Sequence, residues 1–440
     1  MFFIIWKEGV EKIMLTNISR NIEGANIPVR TASGGVTKRI YFNNAATSLA
    51  LRPVMDNVNT NVPLITYIDA PSPLGKRNTL IYENTRQVVL DYVGGDLNKD
   101  SVIYVKNSTE GINLLSNMLY QEDPGQVIIT TMMEHMANYL PFKSKFNTVL
   151  VGIGGEGNLD MDDLVKKLDT YKGKVKLVAV TGASNVTGIT PPIHEIARLA
   201  HKYGARILVD AVQLIQHQPF RMKSHDDDEH IDFLVFSAHK CYTPFDGGAL
   251  IGPYKFFSLY KPFLEGAGIT DFISSEKILY SDPPKRFEAG YPDIIGVMAM
   301  GDAFQHLKNI GLKNIAEYES KLHKHAKLRL TELSKVNIYV QNSKYVNVPF
   351  ISFNLKGANY KRVSRYLGNE HGIEVGAGSL GADIYVQALL GVSPQEAYAD
   401  YVNGNPAGLV RISLGMYNTF EEIDRFVNAL GKIEVDNSYP

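Results

Sequence analysis

The chain has 440 residues, with 45 Lys plus Arg against 46 Asp plus Glu and a formal net charge of -1. That balance creates no global field to draw in nucleic acid or an anionic membrane, so the expected partner is a small molecule. A single cysteine, Cys241, excludes an internal disulfide framework and a zinc site built from several thiolates, and it fits a reducing, cytoplasmic setting.

The opening MFFIIW is apolar, but Lys7 and Glu8 follow at once and no small-residue cleavage site appears. It is too short for a signal peptide or a membrane span, and residues 1–13 read as a frayed or core-docked end. From residue 100 onward short apolar runs alternate with amphipathic segments of helix length: SVIYV at 101, QVIIT at 126, TVLVGI at 148, VKLVAVTG at 175, ARILVDAV at 205, DFLVFSA at 232 and GALIGP at 248. Runs of Val, Ile and Leu without polar alternation suit strands covered on both faces, with helical crossovers between them. The predicted class is α/β, with a mostly parallel sheet and its sites at the carboxyl ends of the strands.

Between two of these runs, PPIHEIARLAHKYG at 191–204 carries prolines at its start, Gly204 at its stop and Ile193, Ile196, Ala197 and Leu199 near one face, the pattern of a crossover helix. GIGGEG at 152–157 imitates a dinucleotide fingerprint, but NLDMDDLVKKL follows, with Asp160 placed as a helix N-cap, so a surface turn is the simpler reading. The charge run SHDDDEH at 224–230 reads as a solvated loop rather than a metal site. After about residue 294 a long helical stretch gives way to the strands NIYVQ and VPFISFNL, and LVRISLGMYNTFEEIDRFVNALGKI closes as strand, turn and helix. This C-terminal third predicts a smaller α+β domain.

Two strand ends carry chemistry. Asp210 closes the apolar run ILVD, where an unpaired carboxylate is expensive and demands a cation or hydrogen-bond donors. Gln213 lies three residues on, and Lys240 ends the run DFLVFSAHK, flanked by Ser237 and His239. Spacing alone leaves a plain Asp–Lys ion pair at the sheet edge equally open.

The segment SAHK with GGALIG downstream resembles the Schiff-base segment of fold-type I pyridoxal 5′-phosphate (PLP) enzymes of the class V aminotransferase family, in its cysteine desulfurase and selenocysteine lyase branch. YFNNAATS, NSTEGINLL, EHMANYLP, GASNVTGI, VDAVQ, RFEAGYP and RISLGMYNT extend the likeness in order over roughly residues 40–435. The resemblance implies the aspartate aminotransferase-like fold, with an N-terminal segment (1–39) packing on the small domain, a large PLP-binding domain (40–294) and a small C-terminal domain (295–440). It implies Lys240 as the Schiff-base lysine, Asp210 on the pyridine nitrogen, His135 stacked on the ring and Gln213 at its phenolic oxygen. Ser108, Thr109, Ser237 and His239 would hold the phosphate, helped by N–H groups at a helix start. Asn185 would lie near the phenolic oxygen and the substrate, with Ser379 on the substrate side and Arg411 gripping the substrate carboxylate through a bidentate fork. No metal is implied, a homodimer is, and a sulfur-acceptor protein would be a further partner of unknown identity.

The pattern also departs from the family. Desulfurases carry a nucleophilic cysteine on a small-domain loop, where this chain reads GIEVGAGSLGADIYVQ; Ser379 and Gly381 stand at the cysteine places. Serine cannot accept sulfur as a persulfide. Cys241 follows the Schiff-base lysine, so its side chain is expected to diverge and to pack as a small hydrophobe. Tyr291 replaces a threonine that in relatives reaches the phosphate across a dimer interface, and Gly376 replaces an arginine near the substrate. The reading is therefore a PLP-dependent enzyme acting on an amino acid, a carbon–sulfur β-elimination lyase first, an aminotransferase or an epimerase/racemase next, and a noncatalytic relative last.

Overall fold

The computed structural model describes residues 18–340, 343 and 345–434; the expectation for residues 1–13 lies outside them. All seven apolar runs become strands of one sheet: Asp100–Val105, Val127–Thr131, Asn147–Val151, Val175–Thr181, Arg206–Asp210, Phe233–Ser237 and Gly248–Pro253. Across the sheet, strand Asp100–Val105 comes first, then Gly248–Pro253, Phe233–Ser237, Arg206–Asp210, Val175–Thr181, Val127–Thr131 and Asn147–Val151. Only Gly248–Pro253 runs against its neighbours. The strands from Val175 to Ser237 are almost wholly buried because helices cover both faces, which is why their sequences lack polar alternation.

Helix Ile193–Lys202 is the expected crossover, burying Ile193, Ile196, Ala197 and Ala200. Asp160 caps helix Met161–Thr170 by accepting from the Asp163 N–H, and the glycines before it form turns. The stretch after residue 294 divides at Gly311, whose φ of +88° breaks it into helices Ile294–Ile310 and Leu312–Thr331. The first of these packs on the large sheet's layer, with Phe304 stacked on Tyr92 at 4.2 Å.

A second sheet has five strands in the order Val336–Ile338, Phe350–Leu355, Leu409–Ser413, Ile373–Gly378 and Ile40–Phe42. Its last member comes from the far end of the chain. Ile40–Phe42 pairs in parallel with Ile373–Val375, and both Ile40 and Phe42 enter the second core with Ile412, Ile423 and Phe426. The boundary expected at residue 40 therefore falls on a strand of the smaller sheet. From Asn43 the backbone turns toward the large sheet, so one short segment touches both layers.

Candidate active site

Three parallel strands deliver their last residues to one place: Thr181, Asp210 and Ser237 are the carboxyl ends of Val175–Thr181, Arg206–Asp210 and Phe233–Ser237. Around them lies a cavity of about 160 Å³, lined by Ser108, Thr109, His135, Asn185, Asp210, Gln213, Ser237, His239 and Lys240 together with a few neighbours. All nine residues expected to hold the cofactor thus line this one cavity. Burial explains their electrostatics. It lowers the Lys240 ammonium to about 8, with Asp210 opposing the shift, and it raises the Asp210 carboxyl to about 6, opposed by the Val212 N–H and Lys240. The backbone N–H of Val212 donates to Asp210 Oδ1 at 3.1 Å.

His135 begins a 3-10 turn, Met136–Asn138, and its Nδ1 accepts from the Ala137 N–H at 3.2 Å. A nitrogen that accepts carries no proton, so the neutral ring bears its hydrogen on Nε2. Burial and the Lys240 charge keep the ring neutral by lowering its pKa to about 4. On the phosphate side, the helix Ser108–Glu122 is capped by Asn107 rather than by Thr109, leaving Thr109 exposed at its first turn. Ser237 Oγ accepts from the Ser108 N–H at 2.9 Å and donates to Ser108 Oγ at 3.0 Å. The segment from Asn43 closes the opposite side: Thr47 Oγ1 lies 3.2 Å from His239 Nδ1, and Gln213 Nε2 donates to the Ala45 carbonyl at 2.7 Å.

Arg411 and Ser379 lie outside the cavity wall. Arg411 is fully buried, has no carboxylate beside it, and is pushed down to about 10 by desolvation. Its Nη1 donates to the Asn185 carbonyl at 2.6 Å and its Nη2 to Asn43 Oδ1 at 2.9 Å, while Nε has no protein partner. Gly376 abuts this edge: a Cβ there would meet Nη2 at 2.9 Å and Nε at 3.2 Å. Ser379 sits on a loop tied to the cavity by two bonds, Asn185 Nδ2 to the Leu380 carbonyl at 2.7 Å and the Met136 N–H to the Gly381 carbonyl at 2.7 Å. Gly381 has a φ of +70°, and a Cβ on it would lie 2.5 Å from His135 Nε2. Tyr291 is well exposed and tilted against Tyr67, with its ring centroid 5.9 Å away; it does not line the Lys240 cavity.

One residue escaped the sequence reading. Glu134, fully buried beside His135, accepts from Thr131 Oγ1 at 2.6 Å, the Thr181 N–H at 3.0 Å and Asn138 Nδ2 at 2.6 Å. It locks two strand ends to the turn that holds His135, and burial with no cation in contact raises its pKa to about 8. Its place directly before the histidine in EHMAN was the available signal. Cys241 is buried, with its thiol pushed up to about 12 by desolvation, as expected of packing material. Among the described residues no group of three or more His, Cys, Asp or Glu is arranged to hold a metal, and His225 of the acidic loop instead pairs with Asp100 at 2.9 Å.

Residues 40–426 match the family profile described as Aminotransferase class-V. The chain belongs to the class V aminotransferase family. Within it the likeness is to cysteine desulfurases. The chain is 32% identical over 409 residues to a probable cysteine desulfurase of Mycolicibacterium paratuberculosis, covering 90% of this chain and 55% of that one. It is 33% identical over 342 residues to the cysteine desulfurase of Escherichia coli (strain K12 / DH10B), covering 76% of this chain and 78% of that one. The apo structure of a cysteine desulfurase from Thermococcus onnurineus NA1 superposes with a TM-score of 0.79 at 31% identity, covering 90% of this chain and 94% of that one. The chain spans little more than half the length of the mycobacterial relative.

Members of this family are PLP-dependent enzymes, and the residues here fit that cofactor. The cavity places a lysine and a carboxylate on one wall and hydroxyls at a helix start on another. Gln213 Oε1 and Asn185 Oδ1 are buried acceptors without a protein partner, which a polar ligand in the cavity would satisfy.

Proposed function

We propose that this class V enzyme is a PLP-dependent carbon–sulfur lyase that releases the β-sulfur group of an amino acid by direct elimination, with no persulfide on the protein. The observation that carries the reading is a complete lysine, aspartate and histidine set beside a loop on which Gly381 leaves no room for a side chain; by the family resemblance Ser379 and Gly381 stand at the cysteine places of that loop. Cys241, the only thiol, is buried behind Lys240 with its pKa raised, so it has neither access nor thiolate character.

Bound in this cavity, PLP would supply a ring that accepts the electrons left on Cα when its proton departs. Lys240 would anchor the cofactor, and Asp210, at the end of its strand, would sit at the pyridine nitrogen. His135, held neutral, would lie against the ring; Ser108, Thr109, Ser237 and His239 would take the phosphate. Arg411 offers the substrate carboxylate the edge that includes its unpartnered Nε. The Lys240 amine, largely neutral above pH 8, is the base for the Cα proton. As the Cα–Cβ double bond forms, the C–S bond breaks and sulfur leaves with the electron pair. His135 Nε2–H faces Gly381, where a Cβ would lie 2.5 Å away, and would donate a hydrogen bond to the departing thiolate. A homodimer fits the exposed apolar set Phe272, Ile273, Ile278 and Leu279 on the hairpin of strands Thr270–Ile273 and Ile278–Tyr280.

The test is a product-resolved incubation of the purified enzyme with cysteine, cystine and cysteine sulfinate. Pyruvate, ammonia and a sulfur product should form from cysteine and cystine, and alanine and a sulfur product from cysteine sulfinate, all without a keto acid, and Cys241→Ser should keep the rate. Turnover that requires an added keto acid would overturn the lyase assignment in favour of transamination.

A further inference from the structure

On the smaller domain, away from the Lys240 cavity, helix Tyr360–His371 and the end of helix Phe420–Gly431 form the walls of an open groove of about 640 Å³. Lys361, Arg362 and Arg365 line one wall and Lys432 the other, against two acids, Glu370 and Glu434. Arg362, Arg365 and Lys432 make no ion pair among the described residues, and the Lys361 ammonium lies 3.5 Å from the Gly404 carbonyl and 5.8 Å above the Tyr360 ring, with no carboxylate paired to it. A nearby lysine adds to the field: Lys335 Nζ donates to the carbonyls of Gly431 at 3.0 Å and Ile433 at 2.6 Å. On a chain whose net charge is -1, four cations against two acids in one groove is a local departure. Like charges held together on an exposed face repel, so the arrangement costs stability that an anionic partner would return.

The shape selects the kind of anion. The cations and Asn369 follow one helix face from residue 361 to residue 369, a run of about 12 Å at the helical rise. They point out of an open trough, none of them is buried, and they do not converge on one point as they would around a single phosphate. Every second side chain of an extended segment recurs at about 6.6 Å, so three alternate carboxylates span a similar length. Tyr366, the aromatic ring in the trough, is half-buried and packs edge-on with His371 at 5.1 Å. We propose that this groove is a docking site for an extended acidic segment of a partner protein. This surface shares no residue with the proposed active site, so its failure and that of the lyase reading are separable.

The probe is a fluorescent peptide with three glutamates at alternate positions, titrated by anisotropy into the PLP-loaded enzyme at low and high salt. Binding at low salt, weakened by added salt and lowered roughly tenfold or more by Arg362→Glu combined with Arg365→Glu, is the expected result. The double variant should keep the wild-type visible spectrum and cysteine turnover, which shows that it folds. No binding, or binding that the double variant leaves unchanged, overturns the proposal. So does tighter binding of single-stranded RNA or inorganic polyphosphate through the same two arginines, which would assign the groove to a phosphate polymer.

Discussion

Replacing Gly381 by cysteine puts a thiol on the loop where the family resemblance implies one, and the structure predicts that persulfide chemistry does not come with it. The backbone at 381 is left-handed, with φ +70°, which costs a non-glycine residue about 1–2 kcal/mol. The new Cβ would come 2.5 Å from His135 Nε2 and 2.9 Å from its Cδ2, so the imidazole must move; overpacking of this kind costs about 1–3 kcal/mol. Together these come to about 2–5 kcal/mol, a large part of a folding stability of roughly 5–15 kcal/mol. Gly381→Ala adds the same Cβ without the sulfur and should lose a similar amount, so the pair separates backbone and clash from thiol chemistry. Ser379→Cys, where the backbone is not left-handed, should be tolerated. The assay is urea unfolding of the three variants, with mass spectrometry for a one-sulfur adduct after exposure to cysteine. A Gly381→Cys enzyme as stable as wild type and carrying the adduct would refute the reasoning.

Three further outcomes follow from the site and the core. Capture of added PLP requires a neutral lysine amine, so growth of the visible band should rise with pH around a midpoint near 8; a midpoint near the ordinary lysine value of 10.5 would contradict the burial of Lys240. Arg411→Lys keeps the charge but loses the fork, and a lost charge-assisted hydrogen bond of about 1.5–3 kcal/mol should lower kcat/KM by roughly 10- to 100-fold with cofactor binding intact. Arg86→Met breaks a buried pair in which Nη1 meets Glu288 Oε1 at 2.8 Å, and should cost about 3–5 kcal/mol in chemical unfolding. Glu288 also accepts from the Tyr104 N–H at 2.7 Å and the Tyr82 hydroxyl at 3.0 Å, so the stranded carboxylate keeps two donors and the loss should fall toward the lower end.

The large sheet was legible because burial on both faces writes itself as unbroken Val, Ile and Leu. Asp210 and Lys240 stood out for the same reason, as charges at the ends of such runs. Strand order was not legible, since nothing local in GALIGP says that it runs antiparallel between Asp100–Val105 and Phe233–Ser237. Nor was the three-residue strand Ile40–Phe42, whose pairing partner lies more than 300 residues away and whose apolar run is too short to carry a period. Ser379 and Arg411 are recognisable as residues, but their distance from the cavity wall is a property of tertiary packing. Glu134 was hidden for a different reason: a glutamate in sequence reads as surface until its three donors from separate elements are seen.

The segment that begins at Ile40 also fixes when the site can be completed during synthesis. Asn44 donates to the Ser413 carbonyl at 2.9 Å, the Ala45 N–H donates to Ser413 Oγ at 2.9 Å, and Asn43 takes up Arg411. The chain emerges from its N-terminus, so residues 43–45 leave the ribosome long before the strand that holds them exists. The seven-stranded sheet, made by residue 253, can assemble early around Lys240, but its closing wall must wait for the last thirty residues. A nascent chain stalled before Arg411 would therefore carry the lysine and the aspartate while the 43–45 segment still lacks its Arg411 and Ser413 partners, so the substrate side of the site is completed last.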